Sequence, residues 1–115
     1  MTINDILTKH GIERPRCGPP SIGNGWATLV DTLIDDLIDL GWNGHVEQIK
    51  EKFGGLRFYI GHADDTIRRR IDRAEQESFH ICEKCGAPGK MLNQGGWLRT
   101  VCEAHTKRLG AGDGA

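Results

Sequence analysis

Four residues near the C-terminus have the types and spacing of a metal site. Two cysteines separated by two residues are followed, after sixteen residues, by a cysteine and a histidine also separated by two: Cys82, Cys85, Cys102 and His105. Ligands in two short pairs are typical of tetrahedral zinc, because one tight turn can direct both side chains at one ion. Four protein ligands leave no position for a substrate. The spacing therefore predicts one structural zinc ion.

Other chemistry of these cysteines is less consistent with the sequence. A redox Cys-x2-Cys motif would follow a strand of thioredoxin type, and it would give His105 no role. Two disulfides would have to include Cys17, and a lone Cys17 thiol instead fits a reducing compartment. Cys17 could be a nucleophile, with Arg14 and Arg16 as its only support. His80 is the one credible substitute metal ligand.

The remaining polar clusters indicate no enzyme. Asp31, Asp35 and Asp39 recur at four-residue steps, which fits a solvated helix face, a magnesium site or a docking stripe for a basic partner. We favour the solvated face. The single histidines have no nucleophile or base at a recognisable spacing: His10, His45 and His62.

Three helices are needed to position these groups. Thr2 and Asp5 can cap a short first helix that ends at Gly11, and residues 13–25 form a loop rich in glycine and proline. Apolar residues at three- and four-residue steps predict the main helix from Trp26 to Gly41. Its buried stripe is Leu29, Val30, Leu33, Leu37 and Leu40. A third helix runs from about 64 to 79, with Ile67, Ile71, Ala74 and Ser78 on one side.

Residues 45–61 alternate in polarity and predict a β-hairpin that turns at Gly54 and Gly55. The buried face would consist of Ile49, Phe53, Leu56, Phe58 and Ile60. The opposite face would carry Gln48, Lys50, Lys52, Arg57 and Tyr59. Glu51 has the parity of the buried face, which implies a bulge, a buried pair with an arginine, or an error in the register.

A second hairpin is predicted between the two ligand pairs, with strands at 90–92 and 97–101, and Cys102 opens a short helix. The order of knuckle, hairpin and helical turn in residues 81–109 resembles a treble-clef zinc finger. The predicted fold is thus α+β: a helical domain with a β-hairpin (residues 1–80), a finger packed on it (residues 81–109) and a flexible tail (residues 110–115).

The whole chain also resembles a widespread family of small, uncharacterised phage and prophage proteins. The resemblance rests on Cys17, Gly25-Trp26, residues 48–54 and 56–59, Ala74-Glu75, Ser78, residues 82–89, and Gly96-Trp97-Leu98 with the second ligand pair. It implies a phage or bacterial origin and a domain whose hairpin, helices and finger belong together. No activity comes with it.

Charge and hydropathy limit the classes of partner. The 115 residues have a net charge of −1, so the chain as a whole does not attract nucleic acid or an anionic membrane. Residues 1–44 carry three basic and six acidic side chains, whereas residues 45–115 carry twelve and ten. The chain has no long apolar run and no signal peptide, which predicts a cytoplasmic protein without membrane contact.

Two basic surfaces are candidates for macromolecular contact. The outer hairpin face joins cations to an aromatic residue, as a phosphate-binding and base-stacking surface would, although a solvated strand face has the same composition. The finger adds Lys84, Lys90, Arg99, Lys107 and Arg108 against two acidic residues. The candidate contact residues are Lys50, Lys52, Arg57, Tyr59, Lys90, Trp97 and Arg99.

These observations predict a zinc-binding interaction protein that docks on a host or phage macromolecule and acts by occupancy. A protein partner is favoured, and no small-molecule substrate is expected. The alternative is a nucleic-acid-binding protein that tolerates changes of sequence and uses the basic hairpin face and the finger.

Overall fold

The fold, described for residues 1–106 by a computed structural model, begins with two packed helices, α1 (Ile3–Lys9) and α2 (Ala27–Asp39). Thr2 and Asp5 form the predicted reciprocal cap of α1, each side chain bonded to the other's backbone N–H. Helix α2 is terminated as predicted by Gly41, which has a φ of +95°. The Trp42 N–H then donates a hydrogen bond to Leu37 C=O.

Helix α2 organises the core. Its Val30, Leu33, Ile34 and Leu37 are fully buried, and each such side chain contributes about 1.5–3 kcal/mol on burial. Leu40, predicted to extend this stripe, is instead 41% exposed at the end of the helix. The loop before α2 contains more regular structure than predicted, namely a short 3₁₀ helix at Asn24–Trp26 and a β-bridge at Ser21.

Strands β1 (Val46–Lys52) and β2 (Gly55–Ile60) form the first antiparallel hairpin on this core. Its buried face includes Ile49, Leu56 and Phe58, as predicted. The predicted turn is wrong by one residue: Lys52 pairs with Gly55, so Phe53 and Gly54 form the turn. Phe53 is consequently 64% exposed rather than part of the core.

Of the three explanations considered for Glu51, an error in the register is the one that the structure confirms, and neither a bulge at Glu51 nor an arginine pair is found within residues 1–106. Glu51 lies opposite Leu56 in a regular register, and its carboxylate accepts the Gly54 N–H at 2.7 Å. An irregularity in β1 does exist, between Val46 and Gln48. Glu51 is therefore held on the core side of the strand by a hydrogen bond that also fixes the turn.

Both outer edges of the first hairpin are covered. Along β1, Ser21 N–H donates to Ile49 C=O and Glu51 N–H donates to Ser21 C=O. Along β2, α3 (Asp65–Ser78) supplies side chains instead of a strand. Ser78 Oγ accepts the Leu56 N–H at 2.9 Å. Glu75 accepts the Phe58 N–H at 3.0 Å.

Helix α3 begins at an Asp64 cap and buries the predicted stripe together with Arg70, which reaches Asp36 of α2 at 2.7 Å. It leads into the second hairpin, β3 (Lys90–Gln94) and β4 (Trp97–Val101), and a helical turn follows at residues 103–106. The predicted finger limit at residue 109, the tail at 110–115, Lys107 and Arg108 lie outside the described residues. No helix within residues 1–106 has the length and apolar character needed to cross a membrane.

Candidate metal centre

The first ligand pair lies on a tight turn between α3 and β3. Gly86 N–H donates to Cys82 C=O at 2.9 Å, and Cys82 N–H donates to Ala87 C=O at 2.8 Å. Gly86 has a φ of +83°, a conformation that costs glycine little. The turn directs Cys82 and Cys85 to the same side, with Cys82 buried and Cys85 exposed.

The second pair completes the cluster from the other end of the hairpin. Cys102 follows β4, and His105 lies on the helical turn, where residues three apart share a face. One ligand atom from each of the four residues lies within 4.8 Å of all the others. The structure therefore brings together all four residues predicted from the sequence, in a group that could hold one metal ion.

The distances within this group fit a tetrahedral ion. Sulfur ligands about 2.3 Å from a zinc ion lie about 3.8 Å from each other. The Cys85 and Cys102 sulfurs are 3.7 Å apart. His105 Nδ1 is 3.5 Å from the Cys82 sulfur and 3.1 Å from the Cys102 sulfur. Three thiolates and an imidazole are the donors expected for zinc in a closed structural site.

The two thiols of the knuckle differ in acidity. Burial raises the pKa of Cys82, but hydrogen bonds from backbone N–H groups, chiefly that of Cys102, outweigh it and lower the pKa below its usual value. At Cys85, the hydrogen bond from Ala87 N–H lowers the pKa of the thiol. Partial desolvation and the hydrogen bond with the Cys102 side chain raise the pKa by more, so it lies above its usual value. Because neighbouring thiolates repel, a cation is needed to hold all the cysteines deprotonated.

Backbone contacts attach the knuckle to the start of α2. Gly25 N–H donates to Glu83 C=O at 2.8 Å, and Gly23 N–H donates to the Glu83 carboxylate at 2.9 Å. The buried Trp26 indole donates to Ile81 C=O at 2.9 Å. Gly25 has no room for a side chain, because a Cβ there would lie 2.2 Å from Cys82 O. This role of Glu83 was not predicted, and the Gly-x-Gly-Trp run is its only local signal in the sequence.

A second set of contacts attaches the finger hairpin to the first hairpin. Thr100, buried in β4, donates its hydroxyl proton to Gly54 C=O at 2.6 Å. A Cβ on Gly54 would lie 3.4 Å from Arg99 N and from Met91 Cγ, so both strands of the finger hairpin approach this turn. The turn at Phe53 and Gly54 is thus held directly beside the finger.

The predicted contact residues of the first hairpin share one face. Lys50 lies directly opposite Arg57, and Gln48 lies opposite Tyr59. Arg57 is partly neutralised by Glu75, 3.6 Å away. Lys52 and Tyr59 are exposed.

The predicted contact residues of the finger lie in two places. Trp97 and Arg99 line a cleft of about 370 Å³ between the finger and the first hairpin, which also contains Glu51 and Glu83. Lys90 lies at the other end of the finger hairpin, opposite Val101. It borders a groove beside Cys102. Lys90 is therefore separate from Trp97 and Arg99.

One polar cluster was not identified from the sequence. His10 Nε2 lies 2.6 Å from Asp31 and Nδ1 lies 3.6 Å from Asp35, so the carboxylates of α2 have a histidine partner on α1. Lys9 also bonds both Asp31 oxygens, and these bonds, followed by the one with His10, lower the pKa of that carboxyl. Asp31 therefore takes part in a contact between α1 and α2, whereas Asp35 and Asp39 are exposed, as expected for the solvated face that we favoured.

Comparison with protein-family models, with curated proteins and with solved structures found no match for the chain. The likeness to phage and prophage proteins therefore remains a prediction from the sequence, and the assignment of function depends on the geometry.

Proposed function

We propose that this chain is a zinc-braced interaction protein that docks on another protein through the tip of its first hairpin. The observation that carries this proposal is the backbone of Phe53, which has a φ of +55° while its side chain is 64% exposed. In line with the sequence resemblance, we place it in the cytoplasm of a bacterial host, encoded by a phage or prophage and acting by occupancy rather than catalysis.

Phe53 occupies a position that folding alone would give to a different residue. Phe53 and Gly54 are the central residues of a two-residue turn, and both have positive φ, for which Asn-Gly is the favoured pair. A bulky residue in this conformation costs about 1–2 kcal/mol. An aromatic ring kept there and left in water gains little from burial, so recognition of a partner is the role that explains it.

The surroundings of Phe53 suit a protein partner. Lys52 Nζ lies 5.5 Å from the centre of the Phe53 ring, and Met91 of the finger, 47% exposed, lies against Gly54. Trp97, 66% exposed, is a second exposed aromatic ring of the finger hairpin, on the face opposite to Met91. Interface anchors are typically aromatic side chains and methionine with a polar and charged rim.

Zinc serves this surface indirectly in our proposal. Four protein ligands leave no open coordination position, which supports a structural rather than a catalytic ion. By closing the finger, the ion would hold β4 in place, and Thr100 of β4 bonds the turn that carries Phe53. The metal would thus fix the position of the docking residue without touching the partner.

The test compares Phe53→Asn with the unmodified chain. Asparagine tolerates positive φ, so we expect the stability to be unchanged or raised by up to about 1 kcal/mol, while capture of a protein partner from nuclease-treated host lysate falls by at least about tenfold. Thermal unfolding and quantitative pull-down measure the two effects. The matched control is Leu40→Asn, which removes an exposed apolar residue at the end of α2 and should leave capture unchanged. Equal capture by Phe53→Asn would exclude the tip as the docking site.

Nucleic-acid binding is a second candidate, supported by the pairing of Lys50 with Arg57. Like charges directly opposite in a hairpin destabilise it, and an anionic ligand would relieve their repulsion. Binding through about five phosphate contacts would weaken steeply as salt rises. Titration of duplex and single-stranded oligonucleotides at low and physiological salt distinguishes the candidates. No binding at low salt would eliminate this one.

A further inference from the structure

The backbone of β3 is the one strand edge among residues 1–106 on which no chain segment or side chain is bonded. The edges of β1 and β2 are covered by Ser21 and by side chains of α3, as described above. On β4, Thr100 C=O accepts the Glu83 N–H at 3.0 Å, and the Gly54 turn lies against the backbone, with Leu98 C and Arg99 N 3.4 Å from where a Gly54 Cβ would be. An uncovered edge can pair with another chain, and proteins usually block such edges.

The register of the second hairpin identifies the free groups on β3. Its two-residue turn makes Gln94 and Trp97 a hydrogen-bonded pair, and such pairs then alternate with pairs whose backbone groups point outward. Met91 and Asn93 are therefore the outward residues of β3. Their two N–H and two C=O groups have no backbone or side-chain partner within residues 1–106. The same alternation makes Thr100, which pairs with Met91, an outward residue of β4. Its C=O does point outward, because it accepts the Glu83 N–H.

The side chains around this edge are apolar and cationic. Met91 lies beside the tip of the first hairpin, since a Cβ on Gly54 would be 3.4 Å from Met91 Cγ. Phe53 at that tip is largely exposed, and Met91 is about half exposed. Lys90, exposed on β3, and Lys52, beside the Phe53 ring, carry the positive charges.

We infer that the β3 edge accepts an extended segment of a protein partner as an added strand, and that this segment carries acidic side chains together with an apolar one. The inference rests on the proposed docking function and specifies the form of its partner. Met91 and Asn93 offer up to four backbone hydrogen bonds. Phe53 and Met91 would contact the apolar side chain, and Lys52 and Lys90 would pair with the acidic ones.

The charges favour a different protein over a second copy of this chain. If two β3 strands paired symmetrically, Lys52 and Lys90 of both copies would lie along the same seam, where like charges repel. A segment of opposite charge removes this repulsion, so complementarity of charge selects the acidic partner.

The probe is a blocked synthetic peptide of about seven residues that alternates glutamate and valine, compared with one that alternates lysine and valine. We expect the full chain to bind the glutamate peptide at least about tenfold more tightly. Hydrogen exchange by NMR supplies a second readout: the Met91 and Asn93 amides should exchange quickly in the free chain and slowly with the peptide bound. The Leu92 amide, within the β3–β4 ladder, should be protected throughout.

The decisive variant is Met91→Pro, with Met91→Ala as its matched control. Both lose the thioether, but only proline removes the outward N–H, and at this position it leaves the bonds between β3 and β4 intact. We expect Met91→Pro to bind the glutamate peptide at least about tenfold more weakly than Met91→Ala, with equal metal content.

Three results would overturn the inference. They are no binding of the glutamate peptide up to millimolar concentration, equal binding by Met91→Pro and Met91→Ala, or unchanged exchange of Met91 and Asn93 in the wild-type complex. A dimer in solution that Met91→Pro dissociates would assign the edge to a second copy instead. If Phe53→Asn still abolishes capture of a partner while the peptide does not bind, the docking function stands and the β3 edge has no part in it.

Discussion

Cys82, the buried member of the ligand group, is fixed more by the backbone around it than by the other ligands. Its N–H and C=O are both bonded within the knuckle, and Gly89 lies so close that a Cβ there would be 2.9 Å from Cys82 N. Such a preformed turn reduces the entropy that metal binding must overcome. The exposed Cys85 is the ligand whose replacement disturbs packing least.

Replacing Cys85 with serine should therefore report on the metal with little direct effect on packing. A serine oxygen is a poor zinc ligand, so we expect the metal content to fall from one ion per chain to well below one, with a clear fall in the melting temperature. Metal analysis and thermal unfolding measure both. The matched control is Cys17→Ser, another exposed cysteine, outside the cluster. One zinc per chain retained in Cys85→Ser would disprove the ligand assignment.

Residue types and spacing were sufficient to predict which four side chains come together as a candidate metal site, because thiolate and imidazole donors in paired positions have few other uses. Residue types and spacing were insufficient to predict that Phe53 is exposed. Whether the Phe53 side chain faces the core or solvent depends on whether the turn begins at residue 53 or 54. A shift of one residue moves a side chain from the core to solvent. The contact of His10 with Asp31 was missed for a different reason, since it depends on how two helices pack and has no sequence spacing.

At the scale of elements, the start of α2 and the knuckle depend on each other. The helix has no side-chain cap, and its first turn is instead approached by backbone of the finger, through Gly25 and Glu83. The periodicity of α2 predicted the helix itself. It could not predict this junction, because Glu83 is about sixty residues from its partners, which are the backbone N–H groups of Gly23 and Gly25.

A side chain at residue 25 should separate these two elements. The Cβ of Gly25→Ala would lie 2.2 Å from Cys82 O, and backbone atoms on both sides cannot move aside cheaply. We expect a loss of about 3 kcal/mol in the free energy of unfolding together with weaker zinc binding. Denaturant unfolding and competition with a chelator measure these changes. Gly61→Ala, where no atom lies within 4 Å, is the control and should change stability by less than about 0.5 kcal/mol.

For the whole molecule, the group formed by Cys82, Cys85, Cys102 and His105 lies at one end of a continuous core. The apolar cluster runs from α1 through α2 and the first hairpin to α3, and Ile81 packs against it next to the knuckle. Beside the ligand group, the finger is bonded to Trp26 of this cluster and to the Gly54 turn of the first hairpin. Loss of the ion should therefore unfold the finger first and loosen these two points, while the helices retain their own packing.

Removal of zinc by a chelator tests this order of stability. Structural zinc supplies about 10–16 kcal/mol of apparent folding free energy, so the segment from Ile81 to His105 should lose its structure. Leu33 and Leu37 of α2 should keep protected amides, because the other helices and the first hairpin still cover them. Trp26, now fully buried, should become exposed and shift the tryptophan emission to longer wavelength, more clearly in a Trp97→Phe chain that lacks the exposed indole. Hydrogen exchange and fluorescence follow both changes, and added zinc should reverse them.

Loss of protection in α2 together with the finger would mean that the metal holds the entire fold, whereas an unchanged Trp26 environment would mean that the finger folds without it.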